Sequence, residues 1–181
     1  MKNAWPILFI LAFIACDNPQ PQETSGEKIF RTTDPSRLYF RNIRSTHYYH
    51  ERQESGNMDI YRLRRYSKVK KRPVLRPVIV NNWMQDEAYV LVEDNGFEQI
   101  ATPYAISVEK DTSLAPVVLT NPGKQGQYDF AASVFKWLRE GHDLQIRLKD
   151  GGSASLFSNY EDKNNFIMVM NDYYRLTDSY R

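Results

Sequence analysis

The sequence predicts an α+β fold, with a mostly antiparallel sheet and two helices in the C-terminal third. Short runs rich in Val, Ile, Tyr and Phe, separated by turn residues, dominate the chain before residue 120. After that point apolar residues recur at helical spacing in two segments, which flank a short hairpin pattern. Of the 181 residues, 41% are hydrophobic and 25% are charged, a composition typical of one globular domain.

Strands are predicted throughout the first two-thirds of the chain. Residues 60–66 alternate between two faces, and the apolar-rich residues 88–92 end at the turn sequence Asp94-Asn95-Gly96. Residues 78–80 are continuously apolar, which predicts burial on both faces, and Asn81-Asn82 is the expected turn after them. The predicted strands are residues 38–49, 60–66, 78–80, 88–92, 105–108 and 116–119.

The first helix is predicted over residues 129–140. Phe130, Val134 and Leu138 recur at i, i+4 and i+8, which places them on one helix face. Gly141 follows where a left-handed residue commonly ends a helix.

A hairpin and a second helix complete the chain. Residues 144–148 alternate as a strand, and the turn Asp150-Gly151-Gly152 returns the chain into residues 154–156. Ser158 or Asn159 is the expected N-cap of the second helix. The apolar stripe of this helix is Phe166, Val169, Met170, Tyr173 and Leu176.

The beginning of the chain predicts a leader peptide rather than a membrane span. Lys2 provides positive charge, and residues 4–15 carry no charged side chain. Twelve residues rise about 18 Å as a helix, whereas the hydrocarbon core of a bilayer is roughly 30 Å thick. This short run, interrupted by Pro6, therefore fits the apolar region of a secretory signal peptide.

The only cysteine, Cys16, stands directly after this run and excludes an intramolecular disulfide. The segment Phe13-Ile14-Ala15-Cys16 resembles the signal of bacterial lipoproteins, in which an apolar run ends in a small residue followed by cysteine. The resemblance implies that Cys16 becomes the mature N-terminus and carries a thioether-linked diacylglycerol and an amide-linked acyl chain. Two or three acyl chains hold a protein stably on a membrane. The alternative is a buried thiol at the end of a core helix.

The next segment, DNPQPQETSG, has no apolar side chain to pack and predicts a polar tether. The expected organisation is a lipoprotein signal peptide over residues 1–15, a lipidated cysteine and tether over residues 16–27, and one globular α+β domain over residues 28–181. The expected location is the bacterial cell envelope, with a lipid anchor in the membrane. Inner and outer membrane both remain open.

The near-neutral total charge hides a basic segment and an acidic remainder. The chain has 24 Lys and Arg against 22 Asp and Glu, a formal charge of +2. Residues 36–76 have 12 basic and 3 acidic side chains, whereas residues 77–181 have 9 basic and 15 acidic ones. The segment from residue 62 to residue 76, called the basic segment below, contains no acid. We predict an anionic-partner site at its cationic residues, Arg62, Arg64, Arg65, Lys68, Lys70, Lys71, Arg72 and Arg76.

Three explanations of the basic segment stay open. Its strands can form cross-strand ion pairs with acidic residues such as Glu93, Asp94 and Glu109. It can contact the anionic membrane surface, at on the order of 1 kcal/mol for each Lys or Arg. It can also bind an acidic protein or a charged glycan. Nucleic acid is not expected in the envelope, although Tyr61 and Tyr66 interleave with the basic residues as in single-strand binders.

No metal, cofactor or catalytic motif is predicted. His47 and His50 stand in the sequence HYYHE, which is neither the HExxH nor the HxxEH zinc order. On a strand these two histidines point to opposite faces and do not share a metal. His142 follows the first predicted helix, where a structural role at the C-terminus is expected. The chain also contains no GxSxG motif and no phosphate-binding glycine loop.

The sequence thus favours a non-enzymatic, lipid-anchored protein of the bacterial envelope that binds or scaffolds an unknown ligand. The first alternative is an envelope hydrolase whose His and carboxylate site is assembled from distant segments. The second alternative is an electrostatic adaptor that binds an anionic surface or partner through the basic segment.

Overall fold

The computed structural model of the chain describes residues 30–66, 70–111 and 113–179. Over these ranges the fold is α+β, with three α-helices and two antiparallel sheets. The helices are α1 (Asp34–Tyr39), α2 (Lys124–Arg139) and α3 (Tyr160–Leu176). The strands are β1 (Tyr48–Gln53), β2 (Met58–Leu63), β3 (Leu75–Asn82), β4 (Glu87–Asp94), β5 (Ala105–Val108), β6 (Val117–Val118), β7 (Leu144–Arg147) and β8 (Ser153–Leu156). The lipidation, tether and Lys68 predictions lie outside the described residues.

The strands form two sheets rather than the single sheet that was expected. The first sheet has the order β1-β2-β3-β4, and the second has the order β6-β5-β7-β8. In the first sheet Tyr61 stands opposite Ile79, which in turn stands opposite Val90. The sequence pattern identified most of these strands, but alternation reports only which face a strand buries and not which strand it joins.

The prediction of a strand over residues 38–49 is wrong in most of its length. Helix α1, a π-helical turn (Phe40–Arg44) and a short 3-10 turn (Ser45–His47) precede β1, so the described chain has one helix more than expected. A capping box starts α1: the backbone N–H of Ser36 donates to the Thr33 hydroxyl, and the backbone N–H of Thr33 donates to the Ser36 hydroxyl. These local hydrogen bonds favour a helix despite the strand-forming residues that follow.

Two strand boundaries also differ from prediction. Strand β3 extends through Asn81-Asn82, which were expected to form a turn, and the reversal follows at Trp83 to Asp86. Asp86 adopts the left-handed conformation there, with φ of 53°. Strand β2 ends at Leu63, so Tyr66 belongs to the connection between β2 and β3 and not to the strand.

The two long helices follow their apolar patterns. Phe130, Val134 and Leu138 of α2 are buried, and Gly141 after this helix has a φ of +84°. Helix α2 begins at Lys124, before the predicted residue 129. The prediction missed this first turn because the turn is polar and contains Gly126, so apolar periodicity does not detect it. In α3, the Asn159 side chain caps the helix by accepting a hydrogen bond of 2.8 Å from the backbone N–H of Asp162. The predicted stripe, Phe166, Val169, Met170, Tyr173 and Leu176, is buried throughout.

An apolar cluster joins the two sheets to α2 and α3. It includes Ile79 of the first sheet, Ile106 of the second sheet, Phe130 of α2 and Phe166 of α3, each at most 2% exposed. Full burial of such a side chain contributes about 1.5–3 kcal/mol. Among the helices of the described residues, none is both long and apolar enough to span a bilayer.

Candidate functional site

The basic segment forms the connection between β2 and β3. Arg62 lies in β2 and Arg76 lies in β3, and the two strands are antiparallel neighbours in which Ile60 stands opposite Val80. Side chains two residues apart on a strand share a face. Arg62 and Arg76 therefore lie on the same face of the first sheet, and the connection between them carries the remaining basic residues.

Two arginines of the basic segment are paired with acids of the described chain. Arg62 of β2 binds a carboxylate on each side of its strand. Its Nη1 is 2.8 Å from Glu51 Oε2 in the neighbouring β1, and its Nη2 is 2.8 Å from Glu93 Oε1 in β4, across β3. The hydrogen bonds to Glu93 raise the pKa of Arg62 further. Arg72 Nη2 lies 2.9 Å from Asp162 Oδ2 at the start of α3. Internal ion pairing therefore accounts for these two side chains. Glu93 is one of the acids that were predicted from the sequence as cross-strand partners.

The other described cations of the basic segment have no such partner among the described residues. Arg65, Lys70 and Lys71 are exposed, and none of them forms an ion pair with a carboxylate of the described residues. Arg64 donates from Nε to the Tyr48 carbonyl at 2.8 Å, and its guanidinium lies 5.1 Å from the Tyr49 ring centroid. Positive charge thus remains exposed beside the paired arginines.

A cavity of about 130 Å³, called the arginine cavity below, lies beside these residues. Tyr66 and Arg76 both line it, and Tyr66 is only 8% exposed. The Tyr66 hydroxyl and Arg76 Nε are buried and have no hydrogen-bond partner in the described parts of the chain. The full lining is Tyr49, Arg62, Leu63, Arg64, Tyr66, Arg76, Pro77, Val78 and Glu93. Three arginines and one glutamate give this lining a net positive charge.

Arg76 is anchored by a hydrogen bond, and the Tyr66 phenol is held in its protonated form. Arg76 Nη2 donates to the Asp94 carbonyl at 2.6 Å, which anchors its guanidinium. Burial raises the pKa of Tyr66 well above its usual value, Arg76 opposes the rise, and Asp162 adds to it. The Tyr66 phenol therefore stays protonated at neutral pH and offers a hydrogen-bond donor.

Sequence reasoning missed a second buried cluster, which is centred on Asp172 in α3. Asp172 is 0% exposed, and its two carboxylate oxygens lie 2.8 and 2.9 Å from Nε and Nη2 of Arg44. The Tyr48 hydroxyl donates to Asp172 Oδ2 at 2.7 Å. These partners lie 128 and 124 residues away in the chain, so no motif signals the cluster.

A second polar cavity, of about 320 Å³, lies between α1 and the end of the first sheet. Asp34, Arg37, Asp59 and Asn81 contribute polar side chains to it, and the buried Asn81 Oδ1 has no partner in the described residues. Trp83 also lines this cavity and is 37% exposed. Its lining contains both acidic and basic side chains, so it does not indicate the charge of a ligand, whereas the lining of the arginine cavity does.

His50 and His142 each lie beside a carboxylate. His50 Nε2 is 2.8 Å from Asp59 Oδ1, and its ring stacks on Tyr61 with centroids 4.9 Å apart. His142 Nε2 is 3.5 Å from Glu140 Oε2 at the end of α2, close to the position expected for it. Within the described ranges, no group of three or more His, Cys, Asp or Glu side chains is arranged to hold a metal ion.

No protein-family model, curated protein or solved structure matches this chain.

Proposed function

We propose that this chain is a lipid-anchored protein of the bacterial cell envelope whose folded domain binds or scaffolds a partner. The observation that carries the proposal is the uncharged run of residues 4–15, which ends at Ala15-Cys16 and is followed at once by a polar stretch. Residues 17–29 can span at most roughly 45 Å when fully extended. Phe30 is already packed in the domain, 4% exposed and 5.9 Å from the Tyr128 ring. This spacing is compatible with a domain held a short distance from a membrane.

The anchor is tested by expressing the full chain in a bacterial host and determining its mature N-terminus by mass spectrometry. We expect an acylated Cys16, because the thiol is the only group that can receive the thioether-linked lipid. The Cys16→Ser variant should stay unprocessed or leave the membrane fraction. Ser25→Ala, an equally small change in the neighbouring polar stretch, should be acylated as the unmodified chain is. A mature protein that retains Met1 and Cys16 without lipid contradicts the proposal.

A second candidate function is that of an electrostatic adaptor for an anionic partner. Arg65, Lys70 and Lys71 favour it, because they are exposed and lack a carboxylate partner in the described residues. Arg72 is a poor residue for testing this role, since its ion pair with Asp162 is structural. The informative variant therefore reverses the three exposed charges and leaves Arg62 and Arg72 unchanged.

The adaptor is tested on a heparin column with the full chain in detergent, heparin serving as a charged glycan. Replacing Arg65, Lys70 and Lys71 together by Glu should lower the salt concentration at which the chain elutes. The matched control replaces Lys110, Arg147 and Lys149 by Glu, which changes the net charge equally at other exposed positions. Equal shifts in the two variants would show general charge attraction and remove the adaptor from consideration.

A further inference from the structure

We infer that the arginine cavity is a binding site for a single phosphate-type oxyanion. The inference rests on the anionic-partner role proposed above and names the chemical group that the basic segment recognises. The cavity of about 130 Å³ lies between side chains at both ends of that segment. A single water needs only about 10–15 Å³ by the same measure, so an ion of five heavy atoms has room.

Two residues that line the cavity, Tyr66 and Arg76, each carry a buried donor that lacks an acceptor among the described residues. The Tyr66 hydroxyl and Arg76 Nε are both buried, and neither has a partner in the described residues. A buried donor without an acceptor is costly, and its usual explanation is a water, an ion or a ligand that completes the hydrogen bond. Phenylalanine would fill the apolar surroundings of Tyr66 equally well, so the hydroxyl itself indicates a polar contact.

The charge of the lining specifies an anion. Glu93 is the one carboxylate of the lining, and Arg62 already binds it with hydrogen bonds of 2.8 to 3.2 Å. The positive charges of Arg64 and Arg76 have no carboxylate in the lining to balance them. Asp162, which acts electrostatically on Tyr66, is itself paired with Arg72 at 2.9 Å. Arg62 also binds Glu51 at 2.8 Å, so the three arginines of the lining face two carboxylates, and one positive charge remains for an anion in the cavity.

The number of donors favours phosphate over a carboxylate. Tyr66 and Arg76 each provide one unpartnered donor, and the Arg64 guanidinium retains its Nη groups beside its bond from Nε to Tyr48. A phosphate can offer a separate oxygen to each of these three groups, whereas a carboxylate must share its two oxygens among them, as Asp172 does with Arg44 and Tyr48. The planar arginine guanidinium can also donate two parallel hydrogen bonds to a phosphate.

The test is a titration of the full chain, purified in detergent, with inorganic phosphate at constant ionic strength maintained by chloride. We expect a saturable rise of the unfolding temperature and a matching change in the ³¹P NMR signal. Tyr66→Phe and Arg76→Gln should each raise the phosphate Kd about tenfold or more, because each removes a hydrogen bond to an anion. Tyr66→Phe is the decisive variant, since it deletes one unpartnered atom and retains the packing of the ring.

Two control variants separate a defined site from general attraction. Lys71→Gln removes the same charge as Arg76→Gln from an exposed position outside the cavity and should leave Kd within about twofold. Tyr160→Phe removes a hydroxyl from a side chain that is 79% exposed and should have no effect on Kd. An equal loss of binding in Lys71→Gln and Arg76→Gln would overturn the inference.

Titrations with glycerol 3-phosphate and with glycerophosphoglycerol identify the source of the group. Tighter binding of the diester than of inorganic phosphate supports a lipid headgroup, and the reverse order supports free phosphate or a monoester. Absence of saturable binding by all three probes overturns the site and assigns the cavity to water. These readouts do not depend on acylation of Cys16, so failure here leaves the anchor proposal standing, and failure of the anchor leaves this site standing.

Discussion

Helix α3 carries two buried carboxylates, and their surroundings differ. Asp172 is 0% exposed and Asp162 is 1% exposed, and each binds an arginine from the first half of the chain. Asp172 receives Arg44 through two hydrogen bonds and Tyr48 through a third. Asp162 receives a single hydrogen bond of 2.9 Å from Arg72. In the basic segment, in contrast, three buried donors have no acceptor in the described residues: the Tyr66 hydroxyl, Arg72 Nε and Arg76 Nε.

This difference separates a structural ion pair from a region suited to a ligand. A buried network in which every member is satisfied holds its elements in one arrangement. The Asp172 cluster does so by tying the segment before β1 to α3. The basic segment retains hydrogen-bonding capacity that the described residues do not use, and Tyr66 and Arg76, which carry part of it, line the arginine cavity.

The largest effect is expected from Asp172→Ala. This change leaves the buried Tyr48 hydroxyl and the Arg44 guanidinium without their acceptor, so the free energy of unfolding should fall by about 3–5 kcal/mol. Asp162→Ala should cost less, because the side chain of Arg72 is 31% exposed and can be rehydrated. Burial also raises the pKa of Asp162, whereas Arg72 lowers it. Part of the attraction between Asp162 and Arg72 therefore only compensates the cost of burying the carboxylate, and the net loss on its removal is smaller.

Urea unfolding followed by circular dichroism measures both changes. Glu98→Ala, at an exposed carboxylate, is the control and should change the free energy of unfolding by less than about 0.5 kcal/mol. A larger loss for Asp162→Ala than for Asp172→Ala would reverse the comparison between the two clusters.

A matched pair of tyrosine variants should give a smaller difference. Tyr48→Phe removes a hydrogen bond of 2.7 Å to a buried carboxylate, so the free energy of unfolding should fall by about 1.5–3 kcal/mol. Tyr66→Phe removes a hydroxyl that has no partner in the described residues, so in phosphate-free buffer stability should be unchanged or higher. The same urea experiment applies, and equal destabilisation by the two variants would show that the Tyr66 hydroxyl has a structural partner.

The smallest expected effect appears at alkaline pH. Burial raises the pKa of Tyr48 and of Tyr66 above the value of about 10 in an unfolded chain. The stability linked to these phenols is therefore fully present below pH 10 and is lost as the pH rises, because the unfolded state releases protons that the folded state keeps. Each such tyrosine lowers the free energy of unfolding by about 1.4 kcal/mol per pH unit above pH 10.

Tyr66→Phe should reduce this alkaline slope by the contribution of one tyrosine, whereas the exposed Tyr160→Phe should not. Free energies of unfolding measured at several pH values from 9.5 to 11 provide the slope. Parallel curves for the parent chain and Tyr66→Phe would mean that the Tyr66 phenol ionises as readily in the folded state as in the unfolded state.

Prediction from sequence succeeded where the signal is local. The stripe of α3 from Phe166 to Leu176, the Asn159 cap and the hairpin around Gly151 are all encoded within a few residues, so periodicity and turn chemistry identify them. Residues 38–49 mislead the same procedure. Their strand-forming side chains lie downstream of the Thr33 and Ser36 capping box, and the hydrogen bonds of that box start a helix.

The order of residues alone therefore predicts the α+β class, most helix and strand positions, and the segregation of basic and acidic residues. The lipoprotein signal that ends at Cys16 remains a prediction from sequence. Tertiary structure decides which of the arginines bind internal acids. Arg62 meets Glu93 across an intervening strand, and Arg44 meets Asp172 across 128 residues, while the Tyr66 hydroxyl is buried beside Arg76 without a partner in the described chain. Local sequence patterns specify which face of a helix or strand is apolar. Ion pairs and cavities depend instead on which faces meet in the fold and on whether water still reaches the side chains between them.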